Sequence, residues 1–393
     1  MFKRKIHNYL AIINKLHLMN IAINTRLLIE NELEGIGRFS FEIVKRIVKK
    51  YPNIHFHLIF DRSYSKKFLF AKNVKGHIIY PKTRHPIIWY YWFEIQMPKL
   101  LNKINADLFI SLDGFLPTKI KIPKITVIHD INFEHRPKDL PFFYRKYYKY
   151  YFPKYCQLAE KIITVSKFSK NDIIEKYNIK KDKISVVYNG VSDAFLSKNI
   201  NNHPELKKQY SSGEDYFIFI GSLHKRKNIS TMLKSFDLFK KITQSKTKFL
   251  IVGKKRWWSN TMEKIYNNML YKTDVIFTGY VDDNSLPMLI SGAKCLCFIS
   301  LFEGFGLPII EAMKCNTPVI TSNTSAMPEI CKNAGLIVNP KDIKDISNAM
   351  KKIDQDQLLR KKLTQYGRER VKAFNWEKSA DDFSKIIEDL ITI

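Results

Sequence analysis

The stretch Phe298-Ile-Ser-Leu-Phe-Glu-Gly-Phe-Gly-Leu-Pro-Ile-Ile-Glu-Ala-Met313 decides how the rest of this 393-residue chain is read. The apolar run that enters it, residues 295–299, has the composition of a buried strand. Gly304 and Gly306 then permit a sharp turn, and Pro308 suits the first turn of a helix, where its missing N–H costs nothing. Strand, glycine loop and helix together present unpaired backbone N–H groups at the positive end of a helix. Glu303 stands just before the loop and Glu311 one turn into the helix. Carboxylates accept hydrogen bonds from hydroxyls while the amides receive an anion, so the pattern suits a ligand that is both polyol and diphosphate, a nucleotide sugar. The plainer alternative is an ordinary strand-to-helix turn whose glutamate meets only the helix dipole.

The design recurs upstream. Tyr216-Phe-Ile-Phe-Ile-Gly-Ser-Leu-His-Lys-Arg-Lys-Asn228 reads as a strand, a glycine at Gly221 and a basic loop before a helix from Ile229, an anion site to which Arg226 and Lys227 add side-chain charge. Further strands are predicted at 248–253, 274–281 and 317–322, a helix at 283–291, and a last helix from about Trp376. In the first half, strands are expected at 21–27, 55–60, 108–110, 122–128 and 162–165, with a helix to about Lys50 after Glu34-Gly-Ile-Gly-Arg-Phe39 and a serine cap at Ser166. The strand at 122–128 ends in His129-Asp130, a polar pair where an open α/β sheet places its ligands. Alternating strands and helices predict an α/β chain with two parallel-sheet domains, and the polar stretch 197–215 reads as their linker.

Taken in order, Gly35-Ile-Gly-Arg-Phe39, His129, Val186-Val-Tyr-Asn-Gly-Val191, Lys227, Gly279-Tyr-Val281 and the Glu303-to-Glu311 spacing resemble the retaining glycosyltransferases of family 4. The likeness covers about residues 19–393 and is nearest to the O-antigen and polysaccharide mannosyltransferase-like branch. It implies the GT-B fold, two Rossmann-like domains facing each other across a cleft with a C-terminal helix crossing back to the first. The expected divisions are an extension 1–18, an acceptor-binding domain 19–196, a linker 197–215, a nucleotide-sugar-binding domain 216–375 and the returning helix 376–393.

The resemblance implies that His129, Glu303, Lys227 and Arg226 act on the reacting sugar and its diphosphate. It also places Gly35, Gly37, Gly221, Tyr280, Val281, Gly304, Phe305, Gly306, Leu307 and Glu311 about the donor, with Glu311 on the ribose. Ser222 departs from the pattern, since the family often has Arg directly after the glycine. The implied donor is a nucleoside diphosphate sugar, with GDP-mannose among the candidates, and the implied acceptor is a saccharide, either lipid-linked or a growing polysaccharide. No cofactor and no metal are expected, because no Asp-x-Asp motif stands in a suggestive place.

Composition bounds the partners. Lys plus Arg number 66 against 37 Asp plus Glu, a net charge of +29, which favours an anionic partner. Five cysteines without a Cys-x-x-Cys pair, two of them alternating at Cys295 and Cys297, fit small core residues of a reduced cytosolic protein. No run of eighteen apolar residues occurs, and residues 1–18 lack a cleavage site, so they are expected to be an appended amphipathic segment or an over-long gene start. The aromatic and basic segments 87–98 and 142–155 suit either core packing or a surface resting on an anionic membrane, which implies a cytoplasmic protein held peripherally on the inner face. Two other readings stay open. Nucleic-acid binding rests on charge alone, without a stacking or groove-reading motif, so no nucleic acid is expected. A dehydrogenase would use Gly35, Gly37 and Asp61, but its third glycine position holds Ser40.

Overall fold

A computed structural model describes residues 19–30, 33, 35–196, 204–255 and 257–391; the extension 1–18 and the start of the linker lie outside the described residues. Two sheets form. In the first, β1 (Asn20–Asn24), β2 (His55–Phe60), β3 (Val74–Ile78), β4 (Leu108–Ser111), β5 (Lys124–Val127), β6 (Lys161–Thr164) and β7 (Ile184–Val186) run parallel in the order β3-β2-β1-β4-β5-β6-β7. In the second, β8 (Tyr216–Ile220), β9 (Lys248–Val252), β10 (Val275–Gly279), β11 (Cys295–Phe298), β12 (Val319–Ser322) and β13 (Gly335–Val338) run parallel in the order β10-β9-β8-β11-β12-β13. Strands such as β4, β5, β11 and β12 are buried along their whole length, which is why they are short apolar runs and not alternating ones. Strand order reverses between β1 and β4 and between β8 and β11, and each reversal opens a crevice at the carboxyl ends of its strands.

The chain divides into two compact units, one running to Asn189 and resuming at Trp376, the other spanning Gly190–Asn375. The resumption is the last helix, Trp376–Ile391, which buries Trp376, Phe383 and Ile387. Its partner is the helix Gly35–Lys50: Phe39 meets Trp376 edge-on at 6.2 Å, Arg46 donates to Glu377 at 2.8 Å and Lys50 to Asp381 at 2.7 Å.

Several expectations need correcting. β1 ends at Asn24 and not at residue 27, because Leu28 N–H turns back onto the Thr25 carbonyl. Gly35-Ile-Gly-Arg-Phe39 is not a loop but the first turns of the helix Gly35–Lys50. Gly37 is required there for another reason: a Cβ on it would lie 2.8 Å from the Leu27 carbonyl oxygen. Within the stretch read as linker, Pro204–Ser211 is a helix, and Pro98 follows a π turn at Trp92–Gln96 that widens the backbone where the proline has no N–H to give. The aromatic segments divide between both readings: Trp89, Trp92, Phe93, Tyr147 and Phe152 are core, while Ile87 (74 % exposed), Phe142 and Phe143 face out.

Phe383 is wholly buried, so Phe383→Ala is expected to cost the first unit about 3–5 kcal/mol. Urea unfolding followed by tryptophan fluorescence checks this; a change under about 1 kcal/mol would show that the returning helix does not complete that unit.

Candidate functional site

At the reversal of the second sheet, β8 ends before Gly221 and β11 ends at Phe298, and the loops that leave them lock together. Asn228 adopts a left-handed conformation, φ 61°, and its Nδ2 donates to the Ile299 carbonyl at 3.1 Å and the Pro340 carbonyl at 2.7 Å. Leu301 N–H donates to the Arg226 carbonyl at 2.8 Å, and Arg226 Nη1 to the Phe302 carbonyl at 2.7 Å. Asn228 was not singled out from sequence. Its signal was available, an asparagine directly before a helix that starts at Ile229, since Asn tolerates this conformation better than other residues with a side chain.

Between the loops lies the Glu303 carboxylate. Its Oε2 is 2.6 Å from Arg226 Nη1 and its Oε1 2.7 Å from Lys227 Nζ, while its backbone N–H donates to Ser325 Oγ at 3.0 Å. Burial pushes its pKa up, but Arg226 and then Lys227 outweigh this and hold it down to about 2. Three charges are thus fixed at one point, two positive and one negative, with Lys227 Nζ also 4.7 Å from the Phe298 ring centre.

The glycine loop follows at once. Gly306 has φ 99°, a conformation that glycine takes without strain, and it caps the helix Leu307–Lys314 on which Glu311 sits half-buried. Phe305 is buried edge-on against Phe374, with ring centres 5.6 Å apart, and so anchors the loop. Tyr280 and Val281 follow β10; Val281 is buried and Tyr280 is 62 % exposed with Lys254 Nζ 5.6 Å over its ring. The structure therefore gathers Gly221, Arg226, Lys227, Tyr280, Val281, Glu303, Gly304, Phe305, Gly306, Leu307 and Glu311 at the carboxyl end of one sheet. A cavity of about 710 Å³ lies at the opposite end, where Asp215 and Lys294 precede β8 and β11, and its Lys294 is engaged by Asp354 at 2.7 Å.

Gly35, Gly37 and His129 belong to the first unit. His129 follows β5, and its Nε2 donates to the Leu112 carbonyl at 3.0 Å, which leaves Nδ1 as an acceptor. Burial holds its pKa below the ordinary histidine value despite the Leu112 hydrogen bond and the nearby Asp130 and Asp113, so the ring is neutral at pH 7. Asp130 accepts from Asn132 N at 3.0 Å and Asn132 Nδ2 at 2.7 Å and so shapes the loop. Asp61 accepts from Thr83 N at 2.7 Å, Thr83 Oγ1 at 2.6 Å and Arg62 Nε at 2.6 Å. The carboxylate that a dehydrogenase would turn to a ribose is spent inside the fold.

Residues 33–195 match the family model described as Glycosyltransferase Family 4, and residues 202–370 match the model described as Glycosyl transferases group 1. The chain is 27 % identical over 365 residues to O-antigen chain mannosyltransferase B of Escherichia coli, covering 89 % of this chain and 94 % of that one. It is 31 % identical over 274 residues to O-antigen chain mannosyltransferase RfbU of Salmonella typhimurium, covering 69 % and 71 %. Sucrose-phosphate synthase from Thermosynechococcus elongatus shares the fold at a TM-score of 0.76 and 18 % identity, over 95 % of this chain and 99 % of that one.

The Glu303 carboxyl is held near pKa 2 in the folded chain against roughly 4.3 in an unfolded one. Its stabilising contribution is therefore whole above about pH 4.3 and is lost as pH falls through about 2. The difference in melting temperature between wild type and Glu303→Gln should be level near neutrality and shrink below about pH 4. A difference that holds constant down to pH 2 would mean that the pairing does not stabilise the fold.

Proposed function

The chain belongs to the glycosyltransferases of group 1 and family 4, and from that membership we propose that this hexosyltransferase moves a mannose-like or glucose-like sugar from a nucleoside diphosphate, GDP-mannose being the first candidate, to a lipid-linked saccharide with retained anomeric configuration. The observation that carries this reading is the Arg226–Glu303–Lys227 cluster set beside the glycine turn at the strand-order reversal. A diphosphate entering there competes with Glu303 for the two cations. The carboxylate then turns to the sugar hydroxyls, and Arg226, Lys227 and the amides of residues 304–306 take the growing negative charge of the leaving group. Those cations are fixed before reaction begins, so the charge stabilisation is assigned to them and not to a metal.

The leaving diphosphate itself takes the acceptor proton on the face that it departs from, which keeps the anomeric configuration. A two-carboxylate hydrolytic mechanism would instead need an acid and a nucleophile about 5–5.5 Å apart across the scissile bond, and this reading calls on no such pair. Glu311, one turn along its helix, is assigned to the ribose hydroxyls, and the neutral His129 offers Nδ1 to a sugar hydroxyl. The two relatives, both O-antigen mannosyltransferases, support mannose and a cell-surface polysaccharide.

The first unit supplies the reason to expect a membrane-borne acceptor. Phe142 and Phe143 are exposed beside Lys146, whose Nζ lies 4.6 Å over the Phe142 ring, and Lys154 Nζ lies 3.6 Å over the exposed Tyr150. Aromatic rings with cations over them suit the boundary of an anionic bilayer, each cation adding about 1 kcal/mol of attraction. The contact is read as peripheral, on the cytoplasmic face, from these surface groups; among the described residues no helix is long and apolar enough to cross a membrane.

Melting curves with UDP, GDP, ADP and their hexose conjugates test the donor reading. One base at a hundred times its dissociation constant should add about 2.7 kcal/mol of stability, and Lys227→Ala and Glu311→Ala should abolish the shift. Lys227→Ala should also lower kcat roughly ten- to a hundred-fold, the worth of one charge-assisted hydrogen bond. If short DNA stabilised the chain and no nucleotide did, nucleic-acid binding would replace the transferase reading. For the membrane contact, replacing both Phe142 and Phe143 by Ser should weaken co-sedimentation with anionic vesicles several-fold; unchanged binding would move the contact elsewhere.

A further inference from the structure

At the strand-order reversal of the first sheet, between β1 and β4, stands a cation that no step above uses. Arg26 follows β1 by two residues, and its side chain is 6 % exposed. Nε donates to Asp113 Oδ2 at 2.5 Å, and the guanidinium carbon lies 4.3 Å from the ring centre of Phe115, 5.2 Å from Phe93 and 6.0 Å from Trp89. Asp113 is itself held, its Oδ1 accepting from Asn24 Nδ2 at 2.8 Å and Ser111 Oγ at 3.1 Å. The guanidinium plane is therefore fixed on three sides.

Its two terminal nitrogens take no acceptor among the described residues, and neither is among the fully sealed polar atoms. Apolar residues of equal volume could replace a pair that only filled space, so Asp113 alone does not account for retaining a cation here. A guanidinium held through Nε, with Nη1 and Nη2 left over, is a fork for two oxygens of one anion. Trp89, which walls this cage, lies on the helix Pro86–Tyr91 and packs against Tyr148 of the helix Phe142–Leu158. The outer sides of these helices carry the exposed Ile87, Phe142 and Phe143.

We propose that Arg26 receives the phosphoryl group that joins lipid to saccharide in the acceptor, through Nη1 and Nη2. The assignment rests on the reading that the acceptor is lipid-linked, and names the group by which it is recognised. The lipid end then lies toward the exposed apolar side chains of the two helices, and the saccharide end lies toward the carboxyl ends of the strands.

Geranyl diphosphate, titrated calorimetrically into the full chain already saturated with GDP or whichever nucleoside diphosphate raises its melting temperature, tests this. Occupying the second unit first keeps Arg226 and Lys227 from answering for Arg26. One equivalent should bind, with affinity reduced by about tenfold or more in Arg26→Lys, which keeps the charge and loses the fork, and in Arg26→Met. Equal affinity in wild type and both variants, or geraniol binding as tightly as its diphosphate, would overturn the assignment. So would glucuronate binding that depends on Arg26 while geranyl diphosphate does not bind. Should neither variant fold, a wild-type crystal soaked with geranyl diphosphate decides: phosphoryl oxygens on Nη1 and Nη2 uphold the site, and a ligand bound only elsewhere sinks it. Transfer to a free oligosaccharide but never to its lipid diphosphate would separately remove the lipid-acceptor reading.

Discussion

One carboxylate taken out of water constrains the second unit more than any other group. Glu303 can be buried and ionised only because Arg226 and Lys227 reach it from the neighbouring loop, and a buried charge without such partners would protonate or drag the loop open. The cations in turn need their loop held, which Asn228 does by gripping the carbonyls of Ile299 and Pro340. The two loops are thus conditions of each other. Because each leaves a central strand of the sheet at the same reversal point, their mutual dependence turns a feature of topology into a fixed set of charges.

The first unit shows the same logic with different materials. Its reversal point holds a guanidinium stacked on aromatic rings and tied to Asp113, where the second unit has two cations closed on a glutamate. His129, two strands away from β1 in sheet order, is kept neutral by burial and turned by the Leu112 carbonyl. Each crevice thus holds a fixed cation, whereas the net excess of basic residues over the whole chain says little about where it acts.

What the sequence made legible was local. The limits of β2 and β8 and the start of the last helix at Trp376 could be read because apolar runs and helical periodicity are properties of adjacent residues. The spacing from Glu303 to Glu311 marked a strand, turn and helix for the same reason. The pairing of Glu303 with Arg226 and Lys227 was not legible, since β8 and β11 become neighbours only after β9 and β10 have been placed on the far side of β8. Arg26 escaped notice likewise: its carboxylate partner and Phe115 are on the loop after β4, and Trp89 and Phe93 of its aromatic cage come from a further segment. The helical state of Gly35–Phe39 was hidden by two glycines that suggest a loop, and the helix Pro204–Ser211 by its polar composition.

The return of the last helix to the first unit reverses the order in which the halves are finished. The unit that begins the chain lacks its cover over Phe39 until Trp376 and the residues after it have been made, whereas everything in Gly190–Asn375 is present earlier. During synthesis the second unit is therefore the first able to close its core, and the first unit waits with one face of the helix Gly35–Lys50 uncovered. An interrupted chain that stops before Trp376 carries a second unit with all of its own residues and a first unit without its final layer.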